Sequence, residues 1–335
     1  MKLRVFTVAL LALTAACAPS VEPSKESTGD GLDKVTLTLN WYPYGEHAPF
    51  YYGKKKGIFA KHKIDLNIQA GQGSQKTVQV TGGGQTDFGW ADTSALLGGV
   101  GQGMPVKSVG VFLQKTPSSV QFFTDKNITK PADLKGKTIA STAGDALTKT
   151  FPIFLKANGM SESDVVIQNT DAAGKIAAVL ASKTDALLGY ATDQGPTIAE
   201  KAGKPVSSLK YADFGLSYFS NGLVAQDKTI ADRKDLVRRM VAATTEAWTA
   251  ASGDVPGAVE AMAGASEQLP SPKVLTDQFN ATIQLLHTDA TKSMPPGVND
   301  ESDWKKTITV FADAGLIKTA EAPSKYWDAS FAVKG

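Results

Sequence analysis

The sequence contains few of the residues that form covalent or metal-bound frameworks. Its 335 residues include one cysteine and three histidines. A single thiol cannot form a disulfide within the chain, and His47, His62 and His287 are too scattered to make a local metal-binding motif. No segment beyond the N-terminal region has the roughly 18 consecutive apolar residues that a membrane-spanning helix needs. The composition therefore excludes a disulfide-stapled domain and a multispanning membrane protein.

Arginine is also scarce. Beyond Arg4 it occurs only at Arg233, Arg238 and Arg239, in a region with helical periodicity. The formal net charge is +2, and it would be zero for a chain without residues 1–16, which carry two cations and no acidic residue. This balance does not indicate a nucleic-acid-binding surface. The sequence also lacks the G-x-S-x-G, H-E-x-x-H and Walker motifs.

The N-terminus has the layout of a secretory signal. Lys2 and Arg4 precede a short apolar run at residues 5–13, and small residues at 14–16 lead to Cys17. This pattern predicts a signal peptide over residues 1–16 and lipidation of Cys17. The alternative is an ordinary cleaved signal, because threonine stands three positions before the cysteine, where a lipoprotein signal usually has leucine.

The next segment is predicted to be a tether. Residues 17–34 are rich in proline, serine, glycine and acidic residues, and they contain little apolar surface. Such a composition favours a flexible linker. The roughly 300 residues that follow exceed one ordinary compact core, so we expect two lobes.

Apolar β-branched segments alternate with amphipathic segments through the first two thirds of the body. This alternation predicts an α/β fold with crossover connections. The last third is predicted to be mostly helical, with Trp248 and Trp304 in the core. Strands are predicted at residues 35–39, 64–68, 87–90, 106–113, 137–140, 165–168 and 185–190.

Several short segments together resemble one protein family, the NMT1/THI5-like solute-binding proteins. This family belongs to the nitrate/sulfonate/taurine group of periplasmic components of ABC importers. The resemblance covers nearly the whole chain after the tether. Its motifs include W-Y-P-Y-G-E-H-A-P-F-Y at 41–51, G-Q-G-S at 71–74, D-F-G-W-A-D at 87–92, G-M-P-V at 103–106 and P-A-D-L-K-G-K at 131–137.

The resemblance implies a two-lobed periplasmic-binding-protein fold of type II. Lobe 1 would comprise residues 35–121 and 218–335, and lobe 2 residues 122–217, with the chain crossing near 121–124 and 216–220. A small-molecule ligand would lie in the cleft and favour the closed state. The implied protein is an extracytoplasmic monomer without a cofactor. It would be held to the membrane only by its lipid, and its partners would be an ABC permease and its ATPase, not nucleic acid.

Candidate ligand contacts in lobe 1 follow the predicted strands. Trp41 and Tyr44 are expected to stack on a flat ring, and His47 to hydrogen-bond it. The alternative is that Trp41 seals the edge of the lobe and that His47 caps the next helix. Ser74, at a predicted helix start, either binds a ligand oxygen or only caps that helix.

The next loop offers two further candidates. Trp90 is predicted to form a second stacking wall, and Asp92 to accept a hydrogen bond from a ring NH or amino group. Asp92 is equally suited to capping a helix. From lobe 2, Ser141 and Thr142 in a small-residue loop and Tyr190 at a strand end are expected to contact ligand. Tyr218, near the second crossing, is a further candidate.

The aromatic candidates and the lack of an arginine clamp favour an aromatic heterocycle, such as a thiamine-precursor pyrimidine, over an anion. A nitrate, sulfonate or taurine ligand remains the main alternative. The family also includes pyrimidine-synthesising enzymes, although the export signal argues against that activity here. A sensor or adhesin without transport is the third possibility.

Overall fold

The computed structural model describes residues 31–333. The predicted signal peptide, Cys17 and most of the predicted tether lie outside these residues. The first strand begins at Asp33, so the last two residues of the predicted tether belong to the folded body.

Within the described residues, ten strands form two separate five-stranded sheets. They are β1 Asp33–Thr38, β2 Ile64–Gln69, β3 Phe88–Asp92, β4 Val106–Val111, β5 Ser118–Phe123, β6 Thr138–Ser141, β7 Val166–Asn169, β8 Ala186–Tyr190, β9 Val206–Lys210 and β10 Asn221–Gln226.

Twelve α-helices accompany these strands within residues 31–333. They are α1 Ala48–Lys55, α2 Ile58–Lys61, α3 Ser74–Gly82, α4 Thr93–Gly101, α5 Leu147–Ala157, α6 Ala172–Leu180, α7 Gln194–Ala202, α8 Asp227–Asp232, α9 Lys234–Gly253, α10 Val255–Ala261, α11 Pro272–Ile283 and α12 Glu301–Asp313.

The two sheets have the same design. The first has the order β2-β1-β3-β10-β4, and the second has the order β7-β6-β8-β5-β9. In each sheet one strand, β10 or β5, runs antiparallel to both of its neighbours. Strand β1 pairs in parallel with β2 and β3, and β6 pairs in parallel with β7 and β8. The predicted two-lobed α/β fold is confirmed, and each predicted strand overlaps an observed one.

The chain crosses between the sheets twice, at residues 112–117 and 211–220. The predicted lobe boundary at residue 121 falls inside β5, which pairs with β8 and β9 in the second sheet. The first crossing therefore comes earlier than predicted. The strand was missed because its first residues, Ser118 and Ser119, are polar although both are buried.

The helices after β10 pack mainly on the first sheet. Trp248 of α9 is fully buried and stacks on Trp90, with ring centroids 5.7 Å apart. Trp304 of α12 is also fully buried and stacks on Trp327 at 5.8 Å. The predicted core positions of Trp248 and Trp304 are confirmed. No helix within residues 31–333 is long and apolar enough to cross a bilayer.

Candidate ligand-binding site

A small cavity of about 20 Å³ lies between the two lobes. Its walls follow the carboxyl ends of β1, β2, β6 and β8, where ligands bind in open α/β sheets. Residues of both lobes contribute: Asn40, Trp41, Tyr44, Gly73 and Ser74 from the first, and Asp145, Leu147, Tyr190, Asp193 and Gln194 from the second.

The lobes are closed on each other around this cavity. The backbone N–H of Gln75, in α3, donates to the carbonyl oxygen of Gly144 at 3.4 Å. The hydroxyl of Tyr190 donates to Oδ2 of Asp92 across the cleft at 2.9 Å. Both contacts join the first lobe to the second, so the two lobes meet directly beside the cavity.

Three of the predicted aromatic contacts reach the cavity. Trp41, Tyr44 and Tyr190 all line it and are at most 7% exposed. The Lys175 ammonium of α6 lies 5.1 Å from the Trp41 ring centroid, a cation–π contact made by the opposite lobe. The structure therefore places aromatic rings on both sides of the cleft, as stacking on a flat ligand requires.

His47 does not reach the cavity. Its Nδ1 accepts from the Tyr44 backbone N–H at 3.3 Å, and its Nε2 lies 2.7 Å from Oδ1 of Asn40. An accepting Nδ1 leaves the proton on Nε2. Burial lowers the pKa of His47 to about 3, which keeps the ring neutral. The predicted ligand contact of His47 is thus replaced by an internal one that orients Asn40, and no side-chain helix cap forms.

Asn40 is a cavity residue that the sequence analysis missed. Its Oδ1 faces His47, and its Nδ2 forms no hydrogen bond with any other residue in the described range. The side chain is 4% exposed and lines the cavity. Asn40 therefore offers an amide donor to a ligand. Its place two residues after β1, beside Trp41, was the available signal.

Trp90 is part of the core of the first lobe and does not line the cavity. It is fully buried, Phe50 meets it edge-on at 5.0 Å, and Trp248 stacks on it. Its Nε1 donates to Oε1 of Glu46 at 2.6 Å. The predicted stacking wall at Trp90 is wrong, because β3 is the middle strand of the sheet and its side chains are covered by helices.

Glu46 lies directly behind the aromatic loop and is fully buried. It accepts hydrogen bonds from the Tyr44 hydroxyl at 2.5 Å, from Trp90, and from Nδ2 of Asn221 at 2.5 Å. Burial raises its pKa to about 7 in spite of these bonds, and the nearby Asp92 carboxylate adds to the rise. Glu46 thus fixes the Tyr44 wall of the cavity from behind.

Asp92 caps a helix and joins the lobes. Its Oδ1 accepts from the backbone N–H of Ser94 at 2.8 Å, so it is the N-cap of α4. Its Oδ2 accepts from Tyr190 and from the Ser220 hydroxyl at 2.7 Å. Burial raises the pKa of Asp92. The structure supports the capping alternative, and Asp92 contacts a wall of the cavity without lining it.

Ser74 lines the cavity, and its hydroxyl oxygen accepts from the Asp92 backbone N–H at 3.1 Å. The other polar candidates lie elsewhere. Ser141 and Thr142 are buried beside the cavity, and the same loop instead contributes Asp145 and Leu147 to it. Tyr218 does not line this cavity, and its hydroxyl donates to the hydroxyl of Ser118, the first residue of β5, at 3.0 Å.

The second lobe supplies a charged group that the sequence analysis missed. Lys175 is fully buried, and its ammonium lies 3.0 Å from Oδ2 of Asp145. Asp193 and Gln194 start α7 and line the cavity. Burial raises the pKa of Asp193 to about 7, although the charge of Lys175 opposes the rise. These residues are far apart in sequence, and only the register of β6 and β8 brings their loops together.

Two carboxyl groups, those of Asp145 and Asp193, line the cavity, and the buried Lys175 ammonium pairs with the first of them. The residues from 31 to 333 contain no group of three or more histidine, cysteine and acidic side chains that could hold a metal ion. The site thus offers aromatic faces, hydrogen-bond acceptors and the amide donor of Asn40.

Known proteins with this sequence pattern and fold include solute-binding proteins. The riboflavin-binding protein RibY of Chloroflexus aurantiacus is 28% identical over 95% of this chain and 94% of its own length. The formylaminopyrimidine-binding protein of Halalkalibacterium halodurans is 20% identical over 91% of this chain and 92% of its own.

A third relative is an enzyme. A solved structure with the same fold can also be compared with this chain. The 4-amino-5-hydroxymethyl-2-methylpyrimidine phosphate synthase of Uromyces fabae is 29% identical, but over only 42% of this chain and 45% of its own. The alkanesulfonate-binding protein SsuA of Xanthomonas axonopodis shares the fold. Its TM-score is 0.66, with 15% identity over 88% of this chain and 98% of its own.

The relatives that align over nearly the whole chain are therefore binding proteins. Residues 45–254 match the family described as NMT1/THI5 like. This match covers more than half of the sequence and includes both crossings and most of the cavity residues. The chain belongs to the NMT1/THI5-like family.

Proposed function

We propose that this protein is an extracytoplasmic solute-binding protein that captures a small aromatic heterocycle and delivers it to an ABC permease. The preferred ligand is a thiamine-precursor type of pyrimidine. The observation that carries the proposal is the closed interlobe cavity, in which Trp41, Tyr44 and Tyr190 stand beside Asp193 and Asn40. A flat ring with NH or amino donors on its edge matches these faces and acceptors.

The cavity is tightly closed in this structure. Its volume of about 20 Å³ has room for about one water molecule, so the lobes have to separate to admit even a single ring. RibY is named for riboflavin, so riboflavin belongs in any ligand screen of this chain.

The charge of the cavity argues against the anion alternative. Nitrate and sulfonate groups are usually held by arginine, lysine or several N–H donors. Among residues 31–333, the buried cation beside the cavity is Lys175, which is already paired with Asp145, and Asp193 would repel an anion when it is ionised. The likeness to SsuA is one of fold and does not carry over its ligand.

The enzyme alternative has less support. The synthase relative aligns over less than half of either chain. The one histidine beside the cavity, His47, uses both ring nitrogens within its own loop. We further propose that the protein is a monomer, that a lipid on Cys17 anchors it, and that its partners are an ABC permease and the ATPase of that permease.

A thermal-shift screen tests the ligand class. The panel contains aminopyrimidines, purines, riboflavin, alkanesulfonates and nitrate. A ligand that binds the folded state raises Tm, and we expect a rise with aminopyrimidines. Trp41→Ala should weaken that binding about tenfold or more, since the loss of about 1.4 kcal/mol of stacking contact is a factor of ten.

The matched control is Tyr51→Ala, which removes a half-buried aromatic ring of α1 outside the cavity. It should leave the affinity unchanged. Stabilisation by nitrate or sulfonate that survives Trp41→Ala, with no response to heterocycles, would overturn the proposed ligand class. Turnover of the bound pyrimidine would overturn the binding role.

A further inference from the structure

Helix α11 connects two walls of the cavity that belong to different lobes. It packs with the first lobe, where Leu275 and Phe279 join the main apolar core. Its N-cap residue, Ser271, donates from its hydroxyl to Glu200 of α7 in the second lobe at 2.5 Å. One side chain at the middle of α11, Gln278, makes the central connection.

Gln278 is fully buried and uses both ends of its amide. Its Oε1 accepts from the backbone N–H of Gly45 at 2.9 Å, in the loop that carries Tyr44. Its Nε2 donates to the backbone carbonyl of Asp193 at 2.9 Å and lies 3.2 Å from Oδ1 of the same residue. A glutamine is suited to this place because it carries an acceptor and a donor on one planar group.

The backbone at Gly45 is shaped for this contact. A Cβ atom at Gly45 would lie 2.5 Å from Cβ of Gln278 and 2.6 Å from the carbonyl oxygen of Leu275. Only glycine allows the loop to come so close to α11. Two features thus join α11 to the cavity walls: the close approach of Gly45, and the hydrogen bonds that the Gln278 amide makes with Gly45 and Asp193.

We infer that Gln278 is a positioning residue that couples closure of the lobes to ligand retention. It holds the Tyr44 loop of the first lobe and the Asp193 loop of the second lobe at a fixed separation, with the ligand between them. Separation of the lobes breaks the bonds to Asp193 and leaves the bond to Gly45 intact. This inference rests on the proposed function, and it assigns to α11 a role in closure that the cavity-lining residues do not perform.

The test compares Gln278→Glu and Gln278→Met with Gln284→Glu. Ionised glutamate keeps the acceptor for Gly45, lacks the donor and faces the Asp193 carboxylate. Methionine keeps the length without either hydrogen bond. Gln284 is exposed at the end of α11, so Gln284→Glu adds the same charge without touching the cavity walls.

The first measurement is stopped-flow binding of 4-amino-5-hydroxymethyl-2-methylpyrimidine. Both Gln278 variants should raise koff about tenfold or more and change kon by less than about threefold, since most effects of contact loss appear in koff. The Gln284 variant should match the parent protein. A variant that lost affinity through general loosening of the fold would show a lowered Tm in proportion, so Tm is recorded for each.

The second measurement needs no ligand. Spin labels at Lys54→Cys in the first lobe and Lys183→Cys in the second, in a Cys17→Ser background, report the distance between lobes. Both labelled positions are exposed. The Gln278 variants should shift this distance to longer values. If the probe pyrimidine does not bind, the proposed ligand fails but the distance still tests the role of Gln278. Folded Gln278 variants that keep the parent's distance and koff would overturn the inference.

Discussion

The charge of Glu46 is costly to the fold. The side chain is fully buried, the nearby Asp92 carboxylate repels its charge, and its three hydrogen-bond donors are all neutral. Burial of an unpaired carboxylate favours the protonated form. The pKa of about 7 against an ordinary value of 4.5 means that the folded state holds a proton which the unfolded state releases between these values.

Glu46→Gln should therefore change how stability depends on pH. Because the raised pKa makes wild-type stability fall as pH rises from about 4.5 through 7, removing the charge should help most above pH 7. We expect the stability of the variant relative to wild type to increase by about 2 to 3 kcal/mol as the pH rises from 5 to 8. Urea unfolding at both pH values measures this gain. Glu267→Gln, at an exposed position, is the control, and an equal gain in both variants would contradict the assignment.

Asp193 should link ligand binding to proton release. Its pKa of about 7 means that it is partly protonated at neutral pH in the ligand-free protein. A ligand that donates an NH to this carboxylate favours the ionised form, so affinity should increase as pH rises through about 7 and level off above it. Calorimetry in buffers of different ionisation enthalpy should detect release of a fraction of one proton per ligand at pH 7.

Asp193→Asn is the matched variant, because the amide keeps the shape and cannot titrate. It should remove the pH dependence and the proton release. A pH profile that persists unchanged in Asp193→Asn would assign the titration to another group, and Glu46 is then the first candidate because its pKa is also about 7.

At the scale of elements, the loop before α3 is built for contact between lobes. Gly73 has a φ of +119°, and a Cβ there would lie 2.7 Å from the carbonyl oxygen of Gly144 in the opposite lobe. Gly103 also has a positive φ, +86°, but a Cβ there would meet no atom within 4 Å. A side chain at either glycine would strain the backbone, but only a side chain at Gly73 would also obstruct closure of the two lobes.

Gly73→Ala should impair closure as well as backbone geometry, whereas Gly103→Ala should only strain the backbone. Each substitution is expected to lower stability by about 1 kcal/mol or more. Only Gly73→Ala should also weaken ligand binding, by about tenfold or more, because the methyl group keeps the lobes apart. Affinity and Tm measured together decide this, and equal affinities for the two variants would show that the contact between Gly73 and Gly144 has no part in binding.

The elements that the sequence predicted are those with a local signal. Strand β1 has alternating apolar residues, and α4 begins after an aspartate that caps it. Strand β5 has no such signal, since its polar residues Ser119 and Gln121 are fully buried against neighbouring strands. Burial of those side chains follows from tertiary packing, which no local pattern reports.

The residues of the site likewise divide into those with a local sequence signal and those whose place follows only from tertiary packing. Trp41, Tyr44 and Ser74 follow strand ends, so the rule for open sheets locates them in the cleft. Trp90 ends the strand predicted from the sequence, yet the observed β3 continues to Asp92, and the Trp90 ring lies in the core. Gln278 has no sequence signal at all, because it contacts the site from a helix more than 230 positions after the loop that it holds.

At the scale of the whole molecule, the attachment predicted for Cys17 can be tested apart from the binding site. In the part of the chain that the structure describes, the first strand begins at Asp33, and the cavity residues lie between residues 40 and 194. A lipid on Cys17 would hold this body to a membrane through a linker of about 15 residues, long enough for a flexible chain to leave the body free to rotate.

Cys17→Ser should therefore move the protein from the membrane fraction to the soluble extracytoplasmic fraction and leave the Kd for its ligand within about twofold of the parent value. Loss of the thiol removes the only acceptor for the lipid, while the cavity is untouched. Fractionation with detergent partitioning of parent and variant measures the first effect, and calorimetry the second. Equal partitioning of the two proteins would favour the ordinary cleaved signal, with delivery to the permease by free diffusion.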